Sequence, residues 1–397
     1  MNKSILNTGI QIFINENLNT DISSALLKKP FYDDVSNLEL AEQIQSKNKC
    51  KDKLPTWYNT PNIYYPNKLN IEQTSSETTA AYKANLVAGD LLADITGGLG
   101  VDSFFFSKQL KKVVHCEVNP TLSEIAHHNF SVLNATNIKT VTSDGLLYLK
   151  ETDTNFDWVY ADPSRRDKTK NKVFLLEDCL PDIPANIGLL FSKANKVLLK
   201  TSPLLDISSG LKSLPNTMEV HIVAVNNEVK ELLWVLNKNL PPVHDVKIIT
   251  VNIKKGGNEQ FQFSLSEEKN NTPTYCEPQI YVYEPNPAVL KSGGFNVVAS
   301  RLGLNKLHPN SHLYTSQELK EFPGRSFKIY DVMPFNKSNI KEYLEGKKMN
   351  LSTRNFPETV DSIRKKHKIK DGGENYIFLT TNYLNERIII FSKKVRS

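Results

Sequence analysis

An open α/β sheet of parallel strands is the fold predicted for the middle of this 397-residue chain. Three observations predict it. Five short apolar runs recur between Asp90 and Pro203: LLADIT, VVHCEV, IKTVTSD, FDWVYADPS and KVLLKTSP. The segments between them are long enough for a helix, as in LSEIAHHNFSVLN, and repeated strand–helix–strand order implies parallel pairing with helices on both faces. The first run ends in a glycine-rich turn, ADITGGLGVDS, which leads into a helix at the place where open α/β sheets hold ligands.

The flanking segments follow different rules. Residues 1–75 read as mostly helical, with apolar residues at three- and four-residue spacings in LNTDISSALLKK and VSNLELAEQIQSK. LPTWYNTPNIYYPNKLN is too rich in Pro and Asn for a long helix and is expected to wrap a surface. IEQTSSETTAAYKANL resumes a helix behind Ser and Thr. Beyond the parallel strands, MEVHIVAVN and KELLWVLN suit an antiparallel pair at the sheet's edge, and VKIITVNIKKGGNEQFQFSLS reads as a hairpin turning at Gly256-Gly257. The polar EEKNNTPTYCEP marks a boundary before a small α+β pattern. The expected domains are a helical segment (1–75), an α/β domain with an edge hairpin (76–270) and two small α+β modules (271–325 and 326–397).

Composition excludes several classes. Hydrophobic residues make up 39% and charged residues 23%, a globular balance. No apolar run reaches the ~18 residues of a membrane span, and MNKSILNTGIQIFINENLN lacks the apolar stretch of a secretory leader. Cys50, Cys116, Cys179 and Cys276 are scattered without a CxxC pair, which argues against zinc and against a disulfide framework. A cytoplasmic location and no metal are expected. The net charge is +6, yet residues 326–397 alone carry +7, so the rest is near neutral. A basic surplus at one end is the footprint of a domain that meets a polyanion; charge alone equally allows a solvated lysine-rich face.

Four motifs carry chemistry. In the glycine turn, Gly97, Gly98 and Gly100 miss the G-x-G-x-x-G spacing of a dinucleotide site. Asp94 and Asp102 flank them, and carboxylates there repel a diphosphate but suit a cationic ligand. Glu117 ends the second strand, where a carboxylate accepts hydrogen bonds from a ribose diol. Asp144, before Gly145, stands at the third strand's end, as an acceptor for an adenine amino group or as a helix cap. YADPSRRDK ends the fourth strand with Asp162, Pro163, Ser164, Arg165 and Arg166; the arginines suit a phosphate or nearby acids such as Glu177 and Asp178.

The order of glycine turn, Glu, Asp and DPxR resembles class I S-adenosylmethionine methyltransferases. More closely, ADITGGLGVDS, EQTSSETTAAYKA, DPSRR, LHPNSHLYTS, FPGR and RNFP together resemble the bacterial family of class I methyltransferases with a THUMP-like domain, from about residue 54 to the end. The resemblance implies a Rossmann-like sheet that binds S-adenosylmethionine, a ferredoxin-like module up to about Gly324 and a THUMP-like module in the basic tail. It also implies RNA, tRNA or rRNA, as the partner. Gln73 resembles a glutamine that contacts the cofactor in some RNA methyltransferases. With it, the expected cofactor set is Gln73, Asp94, Thr96, Gly97, Gly98, Gly100, Asp102, Glu117, Asp144, Gly145 and Asp162.

The absences narrow the reaction. DPSR is similar to the DPPR of uracil-C5 methyltransferases, but their cysteine after the fifth strand is replaced here by Thr201, Ser202 and Pro203. No cysteine sits in a cytosine-C5 motif either. Ser164 and Arg165 also break the amino-methylating (N/D)PP(Y/F/W) pattern. The reaction expected is methylation of a base nitrogen, with Asp162, Pro163 and Arg165 at the catalytic position. Arg165, Arg166, Arg354, Arg364, Lys365, Lys366 and Lys368 are the expected RNA contacts. His308 and His312 are spaced i, i+4, but the Pro309-Asn310 between them argues against a metal pair. The alternatives are a small-molecule or protein methyltransferase and a non-catalytic RNA-binding protein on a relic fold.

Overall fold

The computed structural model describes residues 1–20, 29–165, 175–241 and 243–395. These form two compact units, Met1–Thr217 with Leu233–Pro242, and Met218–Leu232 with Val243–Ser397.

The first unit opens with helices α1 (Thr8–Glu16), α2 (Asn37–Lys53), α3 (Pro55–Asn59), α4 (Lys68–Gln73) and α5 (Glu77–Ala84). Ser36 starts α2 through a reciprocal capping box with Glu39, which satisfies two orphan amide donors at once. The predicted helix over LNTDISSALLKK lies largely outside the described residues. LPTWYNTPNIYYPNKLN forms no long helix: it holds the short α3 and the first turn of α4, and between them the Tyr64 backbone exchanges hydrogen bonds with the Asn129 side chain. Trp57, Ile63, Tyr64 and Tyr65 are buried, and Trp57 meets Phe104 edge-on with ring centroids 4.9 Å apart. Burial of each such side chain stabilises by about 1.5–3 kcal/mol.

The alternating pattern then gives β1 (Leu91–Asp94), α6 (Val101–Ser107), β2 (Lys112–Glu117), α7 (Pro120–Val132), β3 (Ile138–Thr142), α8 (Gly145–Glu151) and β4 (Phe156–Ala161). A two-residue ribbon, β5 (Ser164–Arg165) with β6 (Cys179–Leu180), precedes α9 (Ile183–Lys193), β7 (Ala194–Thr201) and α10 (Ile207–Ser213). The strands lie in the order β3-β2-β1-β4-β7, all parallel. The chain reverses its direction of winding between β1 and β4, so the crevice beyond their carboxyl ends is the ligand position of this fold. Apolar residues of α1–α4 share one core with Leu99, Val101 and Phe104 of the glycine turn and α6. The N-terminal helices are thereby continuous with the wall of that crevice.

Next come β8 (Thr217–Val225) and β9 (Glu228–Asn237), neighbours in a sheet. They are joined at Asn226 and Asn227, whose φ values of 50° and 64° suit a tight hairpin. Leu233–Asn237 of β9 lie beside β7 within the first unit, and Trp234 Nε1 donates to Thr201 Oγ1 at 2.9 Å. In the second unit β8 pairs in parallel with β10 (Lys247–Ile253), which pairs antiparallel with β11 (Glu259–Ser264).

The rest of the second unit holds α11 (Leu265–Asn270), β12 (Tyr281–Pro285), α12 (Pro287–Ser292), α13 (Phe295–Leu302), β13 (Asn305–Lys306), β14 (Tyr314–Ser316) and β15 (Gly324–Pro334). After these come α14 (Lys337–Asn339), a wide helical turn over Ile340–Leu344, β16 (Asn350–Arg354), α15 (Val360–His367), β17 (Asn375–Thr381) and β18 (Arg387–Lys394). They form a mixed sheet in the order β13-β14-β12-β15-β18-β17-β16. Among the described residues no helix is long and apolar enough to cross a membrane.

Candidate active site

A cavity of about 900 Å³ opens at the carboxyl ends of the parallel strands, within the range of small-ligand and cofactor sites. β1 brings Asp94 and the glycine turn, β2 Glu117, β3 the Asp144-Gly145 pair, β4 Asp162 and β7 Lys200; Gln73, at the end of α4, completes the wall.

Backbone donors hold the turns together. The Thr96 amide donates to Asp94 Oδ1 (3.1 Å), and Thr96 Oγ1 accepts from the Asp162 amide (2.7 Å). This ties the β1 and β4 turns across the crevice. Glu117 accepts the Gly98 amide at Oε2 (2.8 Å) and the Asn119 amide at Oε1 (2.7 Å). Each oxygen keeps a second lone pair for a ligand hydroxyl. A Cβ at Gly97 would fall 2.3 Å from His115 Nε2, so only glycine fits over this fully buried ring. Burial pushes the His115 imidazole down to about 4, leaving it neutral.

Two carboxylates lie inside, in opposite circumstances. Asp102 Oδ2 accepts from the Ser75 and Tyr160 hydroxyls, each at 2.8 Å. Its Oδ1 lies 3.2 Å from the ammonium of Lys83, whose side chain is 0% exposed. Although burial opposes ionisation, Lys83 and then Lys200 and these hydroxyls hold the Asp102 carboxyl below its ordinary range. Asp94 accepts from Ser103 Oγ (2.6 Å), and among the described residues no ion pair reaches it. Burial pushes its carboxyl up to about 7, with the charges of Asp102 and Asp162 acting in the same direction. Between about pH 4 and pH 7 the folded chain therefore keeps a proton that the unfolded chain releases, so Asp94 lowers stability as pH rises through this window.

Comparison with known proteins extends this geometry to the whole chain. Residues 281–323 match a ferredoxin-like domain, and residues 324–394 a THUMP domain-like family. A relative from Mycoplasma mobile, named an "uncharacterized RNA methyltransferase", is 29% identical over 107 residues, which span 26% of this chain and 30% of that protein. A crystal structure of a "putative methyltransferase" from Porphyromonas gingivalis W83 is 32% identical, superposes with a TM-score of 0.89 and covers 99% of both chains. The chain belongs to the bacterial family of class I methyltransferases with a THUMP-like domain.

For this member of the methyltransferase family, the cavity gathers most of the residues that the sequence singles out. Gln73, Asp94, Thr96, Gly97, Gly98, Asp102, Glu117, Asp144, Gly145, Asp162 and Pro163 all line it. Gly100 does not. It starts α6 at φ 85°, and a Cβ there would lie 2.2 Å from Phe130 Cζ, so packing requires this glycine. Asp144 caps α8 by accepting the Leu147 amide at 3.0 Å while standing at the rim; the helix-cap reading and the rim position therefore coexist. The Arg165 backbone pairs with Cys179; its side chain, and Arg166 altogether, lie outside the described residues.

Two lysines that the motifs did not mark complete the site. Lys200 forms an ion pair with Asp162 Oδ2, and Lys83 supports Asp102. The signal for Lys83 was its register: on α5 it shares the buried face with Thr79, Ala80 and Ala84.

In the second unit the expected RNA contacts divide. Arg354 pairs with the buried Glu284 at 2.8 Å, Lys366 with Glu358 at 3.2 Å and Arg364 with Asp371, while Lys365 and Lys368 are exposed. His308 Nδ1 accepts from the Asn310 amide (3.0 Å) and lies 3.0 Å from Asn355 Nδ2. His312 stacks on Phe295 at 3.5 Å. Among the described residues no group of three or more His, Cys, Asp or Glu is placed to hold a metal.

Proposed function

We propose that the chain methylates a nitrogen of a base in RNA, tRNA or rRNA, using S-adenosylmethionine. The observation that carries this reading is the gathering of Asp94, Glu117, Asp144 and Asp162 around one cavity, with Asp94 buried and, among the described residues, in no ion pair. A ligand with a ribose diol, an amino-purine and a cationic amino acid end fits that donor set. Glu117 would hold the ribose hydroxyls, Asp144 the adenine amino group, and Asp94 and the glycine turn the cationic end, with Gln73 alongside. When bound, the cofactor supplies an electrophilic sulfonium methyl. Asp162 would accept a hydrogen bond from the target nitrogen or take its proton. Lys200 would fix the orientation of that carboxylate, and Arg165 would hold a neighbouring phosphate. The RNA acceptor is supported by the basic charge of residues 326–397, the THUMP domain-like match and the name of the Mycoplasma mobile relative.

The test is tritium transfer from labelled S-adenosylmethionine to total RNA lacking this modification, with Asp162→Asn as control. Label in a discrete tRNA or rRNA band, lost in the variant, is the expected result. Tight cofactor binding without any labelled RNA would move the acceptor to a protein or small molecule.

Cofactor affinity is also expected to depend on pH. A cationic ligand beside Asp94 favours the carboxylate, so affinity should rise by up to about tenfold per pH unit toward pH 7 and level off above it. Titration calorimetry near pH 6 in buffers of different ionisation enthalpy should register proton release, and Asp94→Asn should abolish it. Identical heats after buffer correction, with no proton released, would remove Asp94 from the cofactor's cationic end.

A further inference from the structure

The mixed sheet of the second unit carries a feature that the basic helix α15 does not explain. On its adjacent strands β15 and β18, Lys328 stands directly opposite Lys393. Both side chains are exposed, and among the described residues neither joins an ion pair. Opposed residues of neighbouring strands share a face, and like charges there repel. The row continues with Tyr281 of β12, opposite Lys328, and Asn375 of β17, opposite Lys393. The reverse face of the same strands is apolar, with Phe327, Val282, Phe378 and Ile390 buried in one cluster. The lysine pair therefore lies on one defined face, and among the described residues no ion pair offsets its repulsion.

Next to this pair the ladder breaks. Ile329 pairs with Ser392 and Asp331 with Phe391, which leaves Tyr330 as the extra residue of a β-bulge. A bulge re-aims the side chain it carries, and Tyr330 is 53% exposed on a strand in the interior of the sheet. Its ring is 6.1 Å from that of Phe391, and Tyr343 meets Phe391 edge-on at the same distance. One edge of Tyr330 is thus braced against a buried ring. The neighbouring carboxylate, Asp331, accepts the Val332 amide at 2.8 Å.

We infer that Tyr330, Lys328 and Lys393 form a platform for an unpaired RNA segment, with a base stacked on Tyr330 and adjacent phosphates against the two lysines. Paired lysines beside an exposed aromatic ring fit a single strand, whose bases are free to stack while its backbone is neutralised. A duplex offers phosphates but no free base face. The inference rests on the RNA reading above and names the surface and the strandedness that the reading leaves open.

The experiment uses the full chain, a fluorescein-labelled single-stranded dodecamer of uridylate and an RNA duplex of equal length, followed by anisotropy over a salt series. Tyr330→Ala should weaken single-strand binding about tenfold while leaving duplex binding unchanged, and Tyr330→Phe should retain affinity. The Lys328→Gln/Lys393→Gln double variant should reduce the slope of log K against log salt by about 1.4, near 0.7 per lost phosphate contact. Unchanged single-strand binding in Tyr330→Ala, in a protein that still methylates RNA, overturns the platform alone. Absence of both RNA binding and RNA methylation overturns the RNA reading as well. Equal competition by polyglutamate, with the same dependence on Tyr330, would reassign the surface to an acidic protein.

Discussion

Replacing Asp162 by Asn is expected to lower kcat for methyl transfer by roughly 10²- to 10⁴-fold, the range for loss of a positioned acid or base. Cofactor affinity should change little. The substitution keeps the side-chain shape, and the backbone amide still donates to Thr96 Oγ1, so the tie between the β1 and β4 turns survives. What disappears is the charged acceptor at the mouth of β4 and its ion pair with Lys200. Single-turnover transfer measured beside calorimetric cofactor binding separates the two effects. Full activity in the variant would take Asp162 out of the reaction. Lys200→Met should shift kcat in the same direction by a smaller factor, because it loosens the carboxylate without removing it.

Lys83→Met should destabilise the first unit by about 3–5 kcal/mol, the usual cost of leaving one member of a buried pair uncompensated. For a unit of this size that is a fall in Tm of roughly 6–20 °C. The ammonium is wholly enclosed, and Asp102 beside it has an 11% exposed side chain, so water cannot take over its role. Adding Asp102→Asn to Lys83→Met should recover most of the loss, because the orphaned charge is then removed. Melting of the single variant at the wild-type temperature would show that the pair carries no such burden. The double variant distinguishes the loss of charge balance from a simple packing defect.

The strand-end acids were legible because each belongs to a local pattern: an apolar run, its end, and a glycine or acid where the chain turns. Asp94, Glu117, Asp144 and Asp162 come together because parallel strands align their carboxyl ends, which the alternating pattern already implied. Lys83 and Lys200 were harder to read, since each matters through a partner on another element. Glu117 looked like a free acceptor, but beside the local Asn119 amide it accepts the Gly98 amide from the β1 turn, whose approach no spacing encodes. Gly100 looked like part of a ligand loop because glycines serving packing and glycines serving ligands are identical in sequence. In the tail, charge counting marked Arg354, Arg364 and Lys366 as RNA contacts, while the fold pairs each with a carboxylate. Glu284 in particular is distant in sequence from Arg354. The Tyr330 bulge leaves no trace in RSFKIYDVMPF, since it arises from the register with β18.

The placement of the tryptophans has a spectroscopic consequence. The chain has three, and Trp57, Trp158 and Trp234 are all buried within the first unit. Indole emission during denaturation therefore reports chiefly the melting of the first unit, while far-ultraviolet circular dichroism reads both units. If the two signals have different midpoints, the halves unfold as separate cooperative blocks. A ligand that shifts only the emission curve must then bind the block that holds the indoles.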